Sequence, residues 1–327
     1  MKIPKFIRVN IWIIVIIFIA GFLRLYNIYN LTTFSGEEGY DLTIVKRIIV
    51  DKNITLLGPK SGPYNNISEV HLGPFYYYLI TPFYFFGRGS PVFVAAVLNL
   101  ISVFGIYLIF LVTKEFFDRK VALWASFFTA FSYSLVTFSR WLSHPPLLPT
   151  FSLILIYALL QIYRGKERWW LAVGLVEGLS LQLEAAAAIF FLPTILIFAF
   201  WQRRKIKHPS LIIFSLLLFF ATLVPQIIFN WRHQGVLQSA FGKFFTQEKS
   251  FYLPFSQLLQ ERLGVYFDTL FSKFFYAQRN LSLVWSGVLL FLVFLKRKQI
   301  FAQEKKILAL WFFIPLNHEI SGRSSSL

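Results

Sequence analysis

Apolar runs of about the length that carries a helix across a bilayer recur along the chain, separated by short polar stretches. Residues 9–23, 92–112, 121–139, 147–163, 211–229 and 281–295 each read as a membrane span. The interval 169–201 needs a length argument. As one helix, at ~1.5 Å per residue, it would be roughly 50 Å long, too long for one crossing of a ~30 Å hydrocarbon core. It therefore divides into two short spans with a turn near Glu184.

Between the first and second spans the pattern changes. Residues 27–91 form a long outer loop, polar from 27 to 72. Within it Leu42, Val45 and Ile49 make one stripe opposite Lys46 and Arg47, which predicts an amphipathic helix over about 40–50 lying on the membrane surface. Residues 74–86 are short, aromatic and interrupted by Pro82, so an interfacial or re-entrant segment is expected there. A second long outer loop covers about 231–280. The run 307–316 is too short to cross and gives way to a polar, Ser-rich tail at 317–327, which reads as a C-terminal shortening.

Composition agrees with the pattern. At 57% hydrophobic and only 14% charged residues, the chain has too little polar surface for a water-soluble domain of 327 residues. The expected fold class is an all-α integral membrane protein, a multi-span helical bundle. A net charge of +17 raises the question of nucleic acid. The basic residues, however, sit in short clusters between spans (2–8, 114–120, 164–168, 203–207, 296–306), as cytoplasmic loops do, so anionic lipid headgroups are the expected partner and nucleic acid is not. With the N-terminus cytoplasmic and the chain in the plasma membrane, both long loops, the 140–146 loop and the Glu184 turn all fall on the outer face. The chain has no cysteine, which excludes thiolate chemistry and disulfides.

Three of the chain's 15 acids fall together in Phe34-Ser35-Gly36-Glu37-Glu38-Gly39-Tyr40-Asp41, just after the first span. Ser35 and Glu38 have capping-box spacing, so this octet is a helix start as well as a candidate site. Arg140 and His144, before Pro145 and Pro146, suit either an anionic group or an interfacial anchor, as do Arg232 and His233. Glu177 and Glu184 are seven apart and on a continuous helix would share a face with Ser180. No His-Glu-x-x-His, Walker or Gly-rich dinucleotide motif occurs.

Taken in order, Glu37-Glu38-Gly39-Tyr40-Asp41, Leu56-Leu57-Gly58-Pro59, His71-Leu72-Gly73-Pro74-Phe75-Tyr76-Tyr77-Tyr78, Ser139-Arg140-Trp141, Leu181-Gln182-Leu183-Glu184 and Phe229-Asn230-Trp231-Arg232-His233 resemble bacterial family 39 glycosyltransferases. These are GT-C membrane enzymes related to protein O-mannosyltransferases and the aminoarabinose transferase of lipid A. The resemblance covers residues 1–316 and implies inverting transfer of a sugar from a polyprenyl-phosphate donor to a lipid, glycan or protein acceptor at the outer face. It implies a base at Glu37, where the family pattern has Asp, with Glu38 orienting it or holding a divalent cation. Arg140, Arg232 and His233 would hold the phosphate, with Glu184, His71 and Tyr76 completing the binding set; Glu184 stands where relatives often carry His. A lipid-linked sugar flippase, or an inactive shortened paralogue, are the alternatives the sequence leaves open.

Overall fold

Helices long and apolar enough to cross a membrane dominate the computed structural model, which describes residues 5–61, 70–247 and 303–313 together with isolated helical positions between 257 and 295. Most of the expected span at 281–295 and of the second long loop, and the whole tail at 317–327, lie outside the described residues.

The chain opens with α1 (Lys5–Leu25), a short α2 (Ile28–Leu31) and α3 (Gly36–Val50). A two-strand antiparallel hairpin follows, β1 (Lys60–Ser61) against β2 (Val70–His71), with Lys60 opposite His71. Then come α4 (Phe75–Phe86), α5 (Pro91–Phe116), α6 (Arg119–Phe131) and α7 (Tyr133–Ser139). A 3₁₀ turn at Pro145–Leu147 leads into α8 (Leu148–Tyr163), followed by α9 (Trp169–Leu183) and α10 (Ala185–Ala188). The remainder is α11 (Phe191–Gln202), α12 (Pro209–Arg232), α13 (Val236–Gln247) and α14 (Lys306–Phe313). Pro91–Phe116, Pro145–Tyr163, Ala185–Lys205 and Pro209–Arg232 meet the length and hydropathy of a span, and α6 with α7 would make a fifth.

Three expectations change. The span over 121–139 is not straight, because α6 and α7 meet at 62°. Ser132 starts a new helix there, its Oγ accepting the Leu135 N–H at 3.4 Å. Pro82 does not interrupt α4, which runs through it to Phe86. The apolar stripe of α3 does not face lipid: Leu42 and Val45 are buried against Tyr76, Tyr77 and Ile80 of α4. The break at Glu184 is where the length argument puts it, with α9 ending at Leu183.

Between α9 and α12 the packing is backbone-close. A Cβ added at Gly174 would lie 1.9 Å from the Ser215 carbonyl oxygen, and one at Gly178 would lie 2.1 Å from Thr222 Oγ1. These two glycines, four apart, make the small-residue seam that lets helices gain dispersion contact in lipid, where no hydrophobic force draws them together.

The two ends of the bundle differ. At one, Arg164 pairs with Glu115 and, at 3.4 Å, with Glu304, while Glu167 accepts the backbone N–H groups of Lys207 and His208 at 2.8 Å each. Four basic clusters, 114–120, 164–168, 203–207 and the described end of 296–306, are thereby tied together. At the other end, Thr33 bridges Trp141, the His144 ring bonds the Leu183 carbonyl, and Gln226 Nε2 reaches the His71 carbonyl at 3.5 Å.

Candidate active site

The second of these ends holds a cavity of about 510 Å³, lined from α3 (Glu37, Tyr40, Asp41, Ile44), the segment Thr55–Lys60, His71, Tyr77 of α4, and Ser143 and His144. Its walls therefore come from five places in the sequence, brought together because α3 packs on α4 and the 140–146 loop packs under both.

The start of α3 sets the acids apart. Ser35 is the N-cap, and Glu38 closes the capping box by accepting the Ser35 N–H and Oγ–H at 2.5 Å each. Trp141 Nε1–H donates to the other Glu38 oxygen at 2.6 Å, so the carboxylate also pins the 140–146 loop to α3. Burial alone would raise the Glu38 pKa, but the hydrogen bonds from Ser35 and Trp141 outweigh it and hold the carboxyl below its ordinary range. With its oxygens so engaged, Glu38 is a structural tie and offers little to a cation. Among the described residues no group of three or more His, Asp or Glu stands ready to hold a metal.

Glu37, one residue earlier, is exposed and lines the cavity. Asp41, one turn further on the same face, also lines it but is buried. Its Oδ1 accepts the Tyr77 hydroxyl at 2.6 Å. Burial raises the Asp41 carboxyl from 3.8 to about 6; the Tyr77 bond opposes this, and the charges of Glu38 and Glu37 add to it. Asp41 and Tyr77 are the site residues that sequence reasoning passed over. The signal was present only as a third acid in the octet.

His144 is buried, and its Nδ1–H donates to the Leu183 carbonyl, which leaves Nε2 without a proton. Burial pushes this imidazole down to about 4, so it is neutral at pH 7 and unsuited to anchoring an anion. Glu184 lies 4.0 Å from His144 Nδ1, beyond hydrogen-bond reach and behind the cavity wall. Because α9 ends at Leu183, Glu184 does not share a helix face with Glu177 and Ser180. Glu177 is enclosed in the bundle with both carboxyl oxygens unpartnered and does not open on the cavity.

Other predicted residues are placed as follows. His71 lines the cavity, its Nδ1–H donating to the Gly58 carbonyl at 3.2 Å. Tyr76 is core, 1% exposed, its hydroxyl on the Leu142 carbonyl at 3.3 Å, and the neighbouring Tyr77 takes the wall position instead. Arg140 directs Nη2 to the carbonyls of Leu23 (2.5 Å) and Tyr26 (3.2 Å), an anchor for the end of α1. Arg232 and His233 end α12 in exposed positions outside the cavity lining, His233 stacking on Phe229 at 4.0 Å between centroids.

A family model described as dolichyl-phosphate-mannose-protein mannosyltransferase matches residues 71–229, from His71 in β2 to Phe229 near the end of α12. The matched segment runs from the last residue of β2 through α4 to α11 and most of α12, and it leaves out α3 with its acids. With the multi-span helical fold, the match supports a membrane glycosyltransferase of the GT-C type that draws on a lipid-phosphate-linked sugar. No curated protein and no solved structure matches the chain.

Proposed function

We propose that this protein transfers a sugar from a polyprenyl-phosphate donor to an acceptor hydroxyl at the outer face of the membrane, with inversion and with Glu37 as the base. The observation that carries the reading is the cavity: an exposed carboxylate on a helix start faces a space bounded by segments that include the family-matched His71, Tyr77 and His144.

The acceptor oxygen forms a bond to the anomeric carbon as the bond from that carbon to the phosphate oxygen breaks, the electron pair leaving with the phosphate. The acceptor proton passes to Glu37. Polyprenyl phosphate is a stable anion, so the reaction needs a base and cations more than a strong acid. Arg232 is the cation we assign to the phosphate. Gln226, less than two turns before it on α12, touches the His71 carbonyl, which puts Arg232 at the cavity's end of the bundle without placing it inside. Arg140 supports this end by holding α1.

Transfer of labelled sugar from polyprenyl-phosphate donors by the purified chain in nanodiscs tests the reading. Glu37→Gln is expected to lower turnover about a hundredfold or more while leaving donor binding intact. Glu37→Asp, which keeps the charge, should retain activity. Equal turnover in all three proteins would remove Glu37 as base.

A further inference from the structure

The charge of the cavity conflicts with a phosphate site. Its lining places Glu37 and Asp41 side by side on α3, with Glu38 directly behind, and His144 is held neutral. Among the described lining residues Lys60 is the cation, on the exposed hairpin, whereas Arg140, Arg232 and His233 are not in the lining at all. A phosphate pushed into this space would meet two carboxylates in a partly enclosed setting, where like charges repel far more than in bulk water. A carboxylate accepts hydrogen bonds and has none to give at neutral pH, so two of them on one wall suit a ligand rich in hydroxyl donors. The volume, about 510 Å³, lies in the range of small-molecule pockets.

Asp41 is built for such a contact. Tyr77 takes up one carboxylate oxygen at 2.6 Å and fixes the side chain's orientation, and the residue still lines the cavity. That leaves acceptor capacity on a rigidly held group one helical turn from Glu37. Tyr77 is itself set by the packing of α4 on α3, so the pair is positioned by the core and not by a loop.

Resting on the transfer reading above, we infer that the cavity is the subsite for an uncharged, polyhydroxylated ring, and that Asp41, held by Tyr77, is a specificity-determining residue that accepts a hydrogen bond from a ring hydroxyl while the phosphate stays outside. The ring can belong to the donor sugar or to a glycan acceptor, and the two are separable by experiment.

The full chain in nanodiscs is titrated with methyl glycosides of mannose, glucose, galactose and arabinose, then with the singly deoxygenated forms of whichever binds tightest. Dolichyl phosphate is titrated in parallel. The wild type should lose about tenfold or more in affinity for one deoxy form, the scale of a hydrogen bond to a charged group. Asp41→Asn, which keeps an oxygen for Tyr77, should bind the parent glycoside more weakly and lose that discrimination. Tyr77→Phe should weaken it in the same direction, and neither change should alter dolichyl phosphate binding. If dolichyl-phosphate mannose competes with the glycoside, the ring site is the donor's; if it binds with the glycoside present as it does alone, the site is the acceptor's. Unchanged discrimination in Asp41→Asn, no glycoside binding by the wild type, or dolichyl phosphate binding that shifts with Asp41 would each overturn the inference. Because glycoside binding needs no turnover, these outcomes are distinct from a failure of the transfer reading, which would appear as absent transfer by a wild type that still binds glycosides.

Discussion

Glu38 and Asp41 stand three residues apart on one helix and are driven in opposite directions. Glu38 is buried with donors on both oxygens and stays ionised; Asp41 is buried with one donor and like charges nearby, and its carboxyl rises to about 6. Because the folded Asp41 binds its proton more tightly than the ordinary value of 3.8, its contribution to stability is fully present below about pH 4 and is lost as pH rises through 6. The displacement corresponds to about 3 kcal/mol. Asp41→Asn removes that cost, so its unfolding midpoint in detergent should exceed the wild type's at pH 8 and match it at pH 4. A gap between the two proteins that does not change with pH would contradict the assigned shift. Glu38 has the reverse sign, stabilising above its ordinary pKa and losing that contribution as pH falls. Little of this contrast was legible in the sequence. The capping box was, since it depends on residues three apart, but which of three acids meets Trp141 and which meets Tyr77 depends on packing between segments 103 and 36 residues distant. For the same reason Tyr76 and Tyr77 look interchangeable in sequence and are not so in the fold.

Elements were more legible than contacts, because span length and hydropathy are properties of one segment at a time. The break at Glu184 followed from length together with the need to keep the basic clusters at 164–168 and 203–207 on one side, whereas the bend at Ser132 did not, since a Ser inside an aromatic run carries no span-scale signal. Pro82 was misleading in the other direction, because α4 continues through it from Phe75 to Phe86, with the Thr81 hydroxyl adding a bond to the Tyr77 carbonyl in the turn before it. The α9–α12 seam gives a prediction with an internal control. At Gly174 an added methyl would lie 1.9 Å from backbone, the Ser215 carbonyl, while at Gly178 the nearest atom is the Thr222 hydroxyl, a side-chain atom that can rotate at the loss of its bond to the Phe219 carbonyl, with backbone no nearer than 3.0 Å. Gly174→Ala should therefore cost about 1–3 kcal/mol or more in stability, and Gly178→Ala distinctly less. Thermal unfolding in detergent ranks the two, and equal losses would mean the helices separate as a whole instead of meeting the methyl locally.

For the whole molecule, charge and chemistry are separated along the bundle. The turns carrying Arg164, Arg168, Arg203 and Lys207 meet at one end through Glu115, Glu167 and Glu304, and the cavity with Glu37, Asp41 and His71 is at the other. Counting spans and basic clusters, which requires no knowledge of side-chain partners, leads to the expectation that the candidate residues share one face of the membrane. The sidedness we propose follows from the positive-inside tendency, with the cavity at the outer face and a lipid-borne donor arriving from the outer leaflet. Cysteine labelling tests it on a chain with no cysteine of its own. Glu37→Cys, Glu184→Cys and Arg232→Cys should react with a membrane-impermeant maleimide in intact cells, and Lys120→Cys and Arg204→Cys only after permeabilisation. Glu184 is the most informative position, because it sits at the break between two short helices and its side depends on both of them crossing. Labelling of position 184 only after permeabilisation would mean that α9 does not cross, and that the acids of α3 and the end of α9 are brought together by something other than a shared face of the membrane.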